Sequence, residues 1–378
     1  MIFSLSLLLS LRPDAVCSLL SDEMWGINIE TAPGLDNNDY MTLYAATAKA
    51  LKAVSPRLKV GGPTMYLNTP RAPTALVKTN NDYVKDFASR CKAAGLPTDF
   101  ISIHLYPDDV TCAGHSADGS AHNYGSMCWS QQLEKYRAEV AEILGPQAQL
   151  YCTEYSGGLF QNTYDHSYVA AFLFHSAPLL QWIPLNSFWA VSDVFEEGGI
   201  RSKEFTNQYG MISINSVPKP SFRGFELLAT AGNYTLPTML TDSAALGTVS
   251  AFATTDDVAG RNRSSTQVFL SNFSPKGGGD ALVLPCADQN VTVRVAVGVG
   301  WSPSSVRAYR IDSEHSNPAE TWAAMGSPEY MNRTQLAVLK AASANMGGAV
   351  LMVRVFGGAA EVTVHVPASG VVVLKGWA

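Results

Sequence analysis

Three short apolar runs in this chain each end in groups that can do chemistry. Gln149-Leu-Tyr-Cys-Thr-Glu-Tyr-Ser-Gly-Gly158 runs into a carboxylate, Glu154, and then into a glycine turn. Asp99-Phe-Ile-Ser-Ile-His-Leu-Tyr-Pro107 delivers His104 and Tyr106, and Leu185-Asn-Ser-Phe-Trp-Ala-Val-Ser-Asp-Val-Phe-Glu-Glu197 delivers Trp189, Asp193, Glu196 and Glu197. A strand-end carboxylate can attack an anomeric carbon while a second carboxylate, about 5 Å away, protonates the leaving oxygen. In that reading Glu154 is the nucleophile and His104 donates to it or to a sugar hydroxyl. Tyr106 and Tyr155 orient it, Trp189 stacks on a sugar face, and Asp193, Glu196 and Glu197 hold hydroxyls. Each residue also has a plainer reading: a buried Glu paired with Lys or Arg, a core His, packing aromatics, a solvated acidic loop. Metal binding by the acidic trio lacks a His and a spacing signature.

These groups need a rigid frame. Tyr40, Leu43, Tyr44, Thr47, Ala48 and Leu51 fall on one helical face. A short strand follows at residues 58–63, then a helix over 82–94 with Gly95 as its C-cap. The His104 strand, a helix over 130–144, the Glu154 strand, a nearly all-apolar helix over 166–180, the Trp189 strand and a helix over 220–230 complete the series. Strand followed by helix, repeated, predicts a parallel α/β sheet with right-handed crossovers, and the strand-end groups then share the C-terminal rim where barrel enzymes keep their chemistry. From about residue 236 the pattern changes to β-branched runs at 281–284, 291–297, 349–355 and 371–374, which predicts an antiparallel sandwich.

Composition narrows the partner. The 378 residues are 47% hydrophobic and 15% charged, with a net charge of −6, which fits a globular chain. Without basic runs, nucleic acid is excluded as an expected partner, and a sugar-like ligand fits better. No CxxC pair exists among the six cysteines, and a disulfide between Cys112 and Cys128 would close a Gly/Ser/His-rich loop. Sequons at Asn233, Asn262, Asn272, Asn290 and Asn332, with the signal-like run Met1-Ile-Phe-Ser-Leu-Ser-Leu-Leu-Leu-Ser-Leu11, point to a secreted or lysosomal/vacuolar route. No apolar run reaches the roughly 18 residues of a membrane span. No cofactor is called for, and nothing in the sequence sets an oligomeric state.

An ordered set of segments resembles glycoside hydrolase family 39, the group of β-xylosidases and α-L-iduronidases. Residues 39–54 with Pro56-Arg-Leu-Lys-Val-Gly-Gly-Pro63 resemble the helix and strand after that family's acid/base glutamate. Residues 99–107 resemble its sixth strand, Thr153-Glu-Tyr-Ser156 its nucleophile strand, and residues 187–197 its eighth. Pro218-Lys-Pro-Ser-Phe-Arg-Gly-Phe-Glu-Leu-Leu228 resembles the closing helix. Tyr309-Arg-Ile-Asp-Ser-Glu-His-Ser-Asn317, with Trp322 and Met325-Gly-Ser-Pro328, resembles the β-domain. The resemblance implies a (β/α)8 TIM barrel followed by an all-β sandwich, retaining exo-hydrolysis of β-xylosidase type with Glu154 as nucleophile, and His104, Trp189 and Asp193 in the glycone subsite.

Two departures accompany it. The family's acid/base glutamate sits in a Trp-Asn-Glu-Pro motif, whereas here aligning Pro33 with the motif proline puts Ala32 in place of the acid. Glu30 is the nearby carboxylate, but two residues along a strand displace it by about 6–7 Å, against a tolerance of about 0.5 Å. The second departure is length. Residues 1–24 read as a signal-like or unrelated leader, 25–233 as the latter half of a barrel that takes about 250 residues, and 234–378 as the sandwich. The expected fold is therefore a barrel incomplete at its N-terminal half. The alternatives to a β-xylosidase are an α-L-iduronidase-like enzyme, or a carbohydrate-binding pseudoenzyme or fragment without the acid/base.

Overall fold

A computed structural model describes residues 7–9, 16–19, 37–66, 83–106, 129–158, 163–194, 199, 201–241, 248–257, 265–274, 286–297 and 301–378. Glu30, Glu196, Glu197, Asn262 and the Cys112/Cys128 pair lie outside these residues. The chain divides into two compact units: residues 1–158 with 179–188 and 277–282, and residues 159–178 with 189–276 and 283–378.

The first unit is the α/β part. Its elements are β1 (Leu7–Leu9), β2 (Val16–Leu19), α1 (Asn37–Val54), β3 (Lys59–Tyr66), α2 (Tyr83–Ala93), β4 (Phe100–Leu105), α3 (Trp129–Leu144), β5 (Gln149–Tyr155), a 3-10 turn at Leu179–Trp182 and β6 (Asn186–Phe188). One six-stranded sheet runs in chain order from β1 to β6, antiparallel between β1 and β2 and parallel from β2 onward. Sequential parallel neighbours joined by helices are what a strand–helix alternation dictates. The predicted stripe on α1 buries Tyr40, Tyr44 and Ala48. Tyr44 meets Phe87 of α2 edge-on, with centroids 5.0 Å apart. Gly95 closes α2 at φ +61°, and the Leu96 amide reaches back to the Cys91 carbonyl at 2.9 Å, a Schellman closure. Gly61 permits the close approach of β3 to β4, since a Cβ there would lie 2.2 Å from the Phe100 carbonyl oxygen. Every residue of β4 is buried, as expected of a central parallel strand.

The second unit holds α4 (Tyr168–Ser176), α5 (Pro220–Leu228) and the C-terminal region. The latter comprises β7 (Tyr234–Leu236), β8 (Val249–Thr255), β9 (Gln267–Asn272), β10 (Gln289–Ala296), β11 (Ser305–Ile311), α6 (Pro318–Ala324), α7 (Arg333–Ala344), β12 (Gly347–Met352), β13 (Arg354–Phe356), β14 (Ala359–Val366) and β15 (Val371–Lys375). All nine residues of α4 are buried, which explains its apolar character on every side. It stops at Ala177, short of the expected residue 180, because Pro178 cannot continue a helix. Two antiparallel sheets, ordered β12-β11-β15-β9-β8-β7 and β10-β14-β13, draw on one apolar core that includes Val268, Leu270, Val293, Val306, Val362 and Leu374. The expected strand over 349–355 is two strands in different sheets, with buried Val353 at the crossing and its amide bonded to the Ser304 carbonyl at 2.9 Å. The helices α6 and α7 were not part of the sequence expectation. The first begins with Pro318 at its first turn, and the second carries a capping box between Asn332 and Gln335. Among the described residues no helix is long and apolar enough to cross a membrane.

Candidate active site

Glu154 is the penultimate residue of β5. Its strand pairs with β4 so that His104 stands opposite Glu154, after a register shift between Ile103 and His104. Such an irregularity re-aims the side chains at the end of a strand. Glu154 and His104, on neighbouring strands, therefore leave the sheet at the same end. The Tyr106 hydroxyl, one residue past β4, donates a hydrogen bond to Glu154 Oε1. His104 Nδ1 lies 3.5 Å from Glu154 Oε2. The Glu154 side chain keeps 13% of its surface exposed, while that of His104 keeps 3%. The carboxylate is thus reachable from one side and held from the other.

The electrostatics follow from burial. Removing the His104 imidazole from water penalises its cation and lowers its pKa from 6.5 to about 4, so the ring is neutral near pH 7. A neutral ring can present an N–H to the carboxylate without competing for its proton. Burial raises the Tyr155 phenol above its ordinary value. Tyr155 packs edge-on against Phe188, with centroids 5.6 Å apart, so it fixes the strand end and stays protonated. The structure therefore brings Glu154, His104 and Tyr106 together in the first unit, whereas Tyr155, the next residue along β5, packs on Phe188.

Trp189 and Asp193 belong to the second unit. Trp189 directly follows β6 and is half-buried. The segment after it is strapped to residues 209–212: the Ala190 and Ile212 amides donate to the Tyr209 and Val191 carbonyls at 3.2 and 3.0 Å, and the Asp193 amide donates to that of Ile212 at 2.8 Å. Asp193 is 2% exposed, and its carboxylate is turned into an ion cluster. Lys219 Nζ, fully buried, sits 2.7 Å from Asp193 Oδ2 and 2.5 Å from Asp165 Oδ1, and donates to the Gln208 carbonyl at 2.9 Å. The Gly210 amide donates to Asp193 Oδ1 at 2.9 Å. Burial pushes Asp193 up to about 7, against the pull of Lys219 and Gly210. In this arrangement Asp193 is engaged by protein groups and organises the segment that carries Trp189. Among the described residues no group of His, Cys, Asp and Glu could hold a metal ion.

The model of glycosyl hydrolases family 39 matches residues 30–355. The chain belongs to this family. Within family 39 it is 27% identical over 334 residues to a β-xylosidase of Caldicellulosiruptor saccharolyticus, and 23% identical over 337 residues to one of Geobacillus stearothermophilus. These alignments take in 86% and 84% of the chain, which spans 59% of the length of each relative. Two solved structures share the fold. A family 39 enzyme from Xanthomonas axonopodis pv. citri has a TM-score of 0.67 at 21% identity, covering 93% of this chain and 66% of that one. A monomeric β-xylosidase from Caulobacter crescentus CB15 has a TM-score of 0.66 at 20% identity, covering 93% and 67%.

Two residues of this family 39 chain escaped the sequence reading, Asp165 and Lys219. A signal for Lys219 was present: a lysine between Pro218 and Pro220 at the N-terminus of α5 is cationic where the helix dipole disfavours cations. That placement makes sense only with anionic partners, here Asp165 and Asp193.

Proposed function

We propose that this chain carries the nucleophile of a retaining O-glycoside hydrolase of β-xylosidase type, on a (β/α)8-type barrel sheet followed by a β-sandwich. Glu154 attacks the anomeric carbon and the bond to the aglycone oxygen breaks. A glycosyl ester then forms on Glu154, and water hydrolyses it in the second step. The observation that carries this reading is the pair of contacts on Glu154. The Tyr106 hydroxyl takes one oxygen, which favours the ionised carboxylate, and the neutral His104 faces the other. By the family resemblance Trp189 and Glu196 are proposed as sugar-binding residues, and Glu30 as the general acid/base. The sequons and the signal-like leader support a secreted or vacuolar location.

One observation favours a second reading, a carbohydrate-binding protein without catalysis. Ala32 takes the acid's place when Pro33 is aligned with the motif proline. Hydrolysis of an aryl β-xyloside with a good leaving group separates the two, because such a substrate needs little acid assistance. The enzyme reading expects turnover or a burst that Glu154→Ala abolishes. Acceleration of turnover by azide would support a weak or displaced acid/base. A folded protein that binds xylose yet gives neither turnover nor burst supports the second reading. Loss of activity on unactivated xylosides in Glu30→Ala would assign the acid to Glu30.

A further inference from the structure

Five sequons stand in the chain, and the fold treats the four described ones differently. Asn272, Phe273 and Ser274 are all buried, at 0%, 2% and 3% exposure. The Asn272 amide nitrogen donates inward to the Ala287 and Val366 carbonyls at 2.8 and 3.3 Å, and its Oδ1 accepts from Thr248 at 2.6 Å. A sugar on that nitrogen has no space and would break this network. Asn233, Asn290 and Asn332 are exposed, and so are Thr235, Thr292 and Thr334, which complete their sequons.

Each exposed asparagine also tolerates substitution of its amide. Asn332 caps α7 through Oδ1, which accepts from the Gln335 amide at 2.9 Å, so the cap survives a sugar on Nδ2. Asn233 donates from Nδ2 to Asp256 Oδ1 at 3.1 Å, and a glycosylated amide keeps one N–H for that bond. Asn290 lies on the outward-facing side of β10, where it alternates with buried Val291 and Val293. Two of the three positions share a location. Among the described residues, β7 and β10 are edge strands of their two sheets, and β10 with the segment 236–240 lines one groove. Asn233 directly precedes β7, and Asn290 is the second residue of β10. Exposed Tyr234, Met239 and Leu240 lie beside them. Unpaired edges with apolar neighbours invite pairing with other chains, and a bulky hydrated group there prevents it.

We propose that Asn233, Asn290 and Asn332 are N-glycan attachment sites, that Asn272 is not, and that the glycans on Asn233 and Asn290 cover the β7 and β10 edges, two of the end strands of the C-terminal sheets. The donor is a lipid pyrophosphate-linked oligosaccharide. The amide nitrogen forms a bond to C1 of the sugar, the C1–O bond to the pyrophosphate breaks, and the amide gives up one proton. Transfer precedes folding, so the fold acts afterwards as a filter that rejects a chain modified at Asn272.

The test is to produce the full chain behind a secretion leader in a eukaryotic host and to map occupied sites by peptide-N-glycosidase digestion in heavy-oxygen water. The expected result is label on Asn233, Asn290 and Asn332 and none on Asn272 in the secreted, folded fraction. The single variants Asn233→Gln, Asn290→Gln and Asn332→Gln should each lose one glycosidase-sensitive step in a mobility gel. The double variant Asn233→Gln/Asn290→Gln should shift to aggregates on size-exclusion chromatography, whereas Asn332→Gln should not. Label on Asn272 in folded protein, or no label on the three exposed sites, overturns the site assignment. A double variant that stays as dispersed as the parent overturns the edge-covering role. None of these readouts depends on glycosidase activity.

Discussion

The Tyr106 hydroxyl and the Glu154 carboxylate form a charge-assisted pair, a kind of hydrogen bond worth about 1.5–3 kcal/mol. Tyr106→Phe should therefore lower kcat on an activated xyloside by about 10–100-fold. Its melting temperature should fall as well, because the same bond joins the ends of two strands in the folded chain, and steady-state kinetics with a thermal scan on the same sample will check both. Two histidines set a pH prediction. Burial lowers both His104 and His175 from 6.5 to about 4. Between those values the unfolded chain binds protons that the folded chain refuses. Stability is thus intact above about pH 6.5 and is lost as pH falls towards 4, by up to about 3 kcal/mol for each ring. Denaturation in urea across this range should show the loss. His175→Phe should flatten the slope, although it also removes the 2.6 Å contact of Nδ1 with the Ser250 hydroxyl at every pH. At this scale Glu154, His104 and Tyr106 were legible in the sequence, because a strand end fixes where its last residues go. The partners of Asp193 were not, because Asp165 and Lys219 are distant in sequence and only tertiary structure joins them.

Lys219 ties three elements together: the turn before α4, the segment after β6 and the start of α5. Removing one member of a buried ion cluster leaves uncompensated charge, at a cost of about 3–5 kcal/mol. Lys219→Met should lose about that much by chemical denaturation, since two buried carboxylates would face each other. Asp193→Asn should cost less, because Asp165 still neutralises the lysine. At the other end of the second unit, Asn332→Ala removes the cap of α7 and should cost about 1 kcal/mol in unglycosylated protein. The strand–helix alternation up to α3 and β5 was readable because apolar periodicity and breakers agree there. The failures came where two signals compete. A single β-branched run over 349–355 hides a change of sheet at Val353, and α7 has a cap but only a weak apolar stripe, with Leu339 and Ser343 its buried residues.

The whole molecule belongs to family 39 and spans 59% of the length of the curated relatives it matches. Its α/β sheet ends in a carboxylate held by a tyrosine and faced by a neutral histidine, and its C-terminal sheets share one apolar core. Strand order and the placement of His104 and Glu154 at strand ends could be read from the sequence, whereas the grouping of α4 and α5 with the C-terminal sheets depends on packing that no local pattern encodes. Covalent trapping asks directly whether Glu154 is the nucleophile proposed above. The full chain is incubated with a 2-deoxy-2-fluoro-β-xyloside bearing a dinitrophenyl leaving group, whose glycosyl ester turns over slowly, and is then mapped by peptide mass spectrometry. A nucleophilic Glu154 acquires one fluoroxylosyl group per chain, on the peptide containing Glu154, and Glu154→Ala acquires none. A label on another carboxylate, or a folded protein that binds the reagent yet acquires no label, would contradict that role.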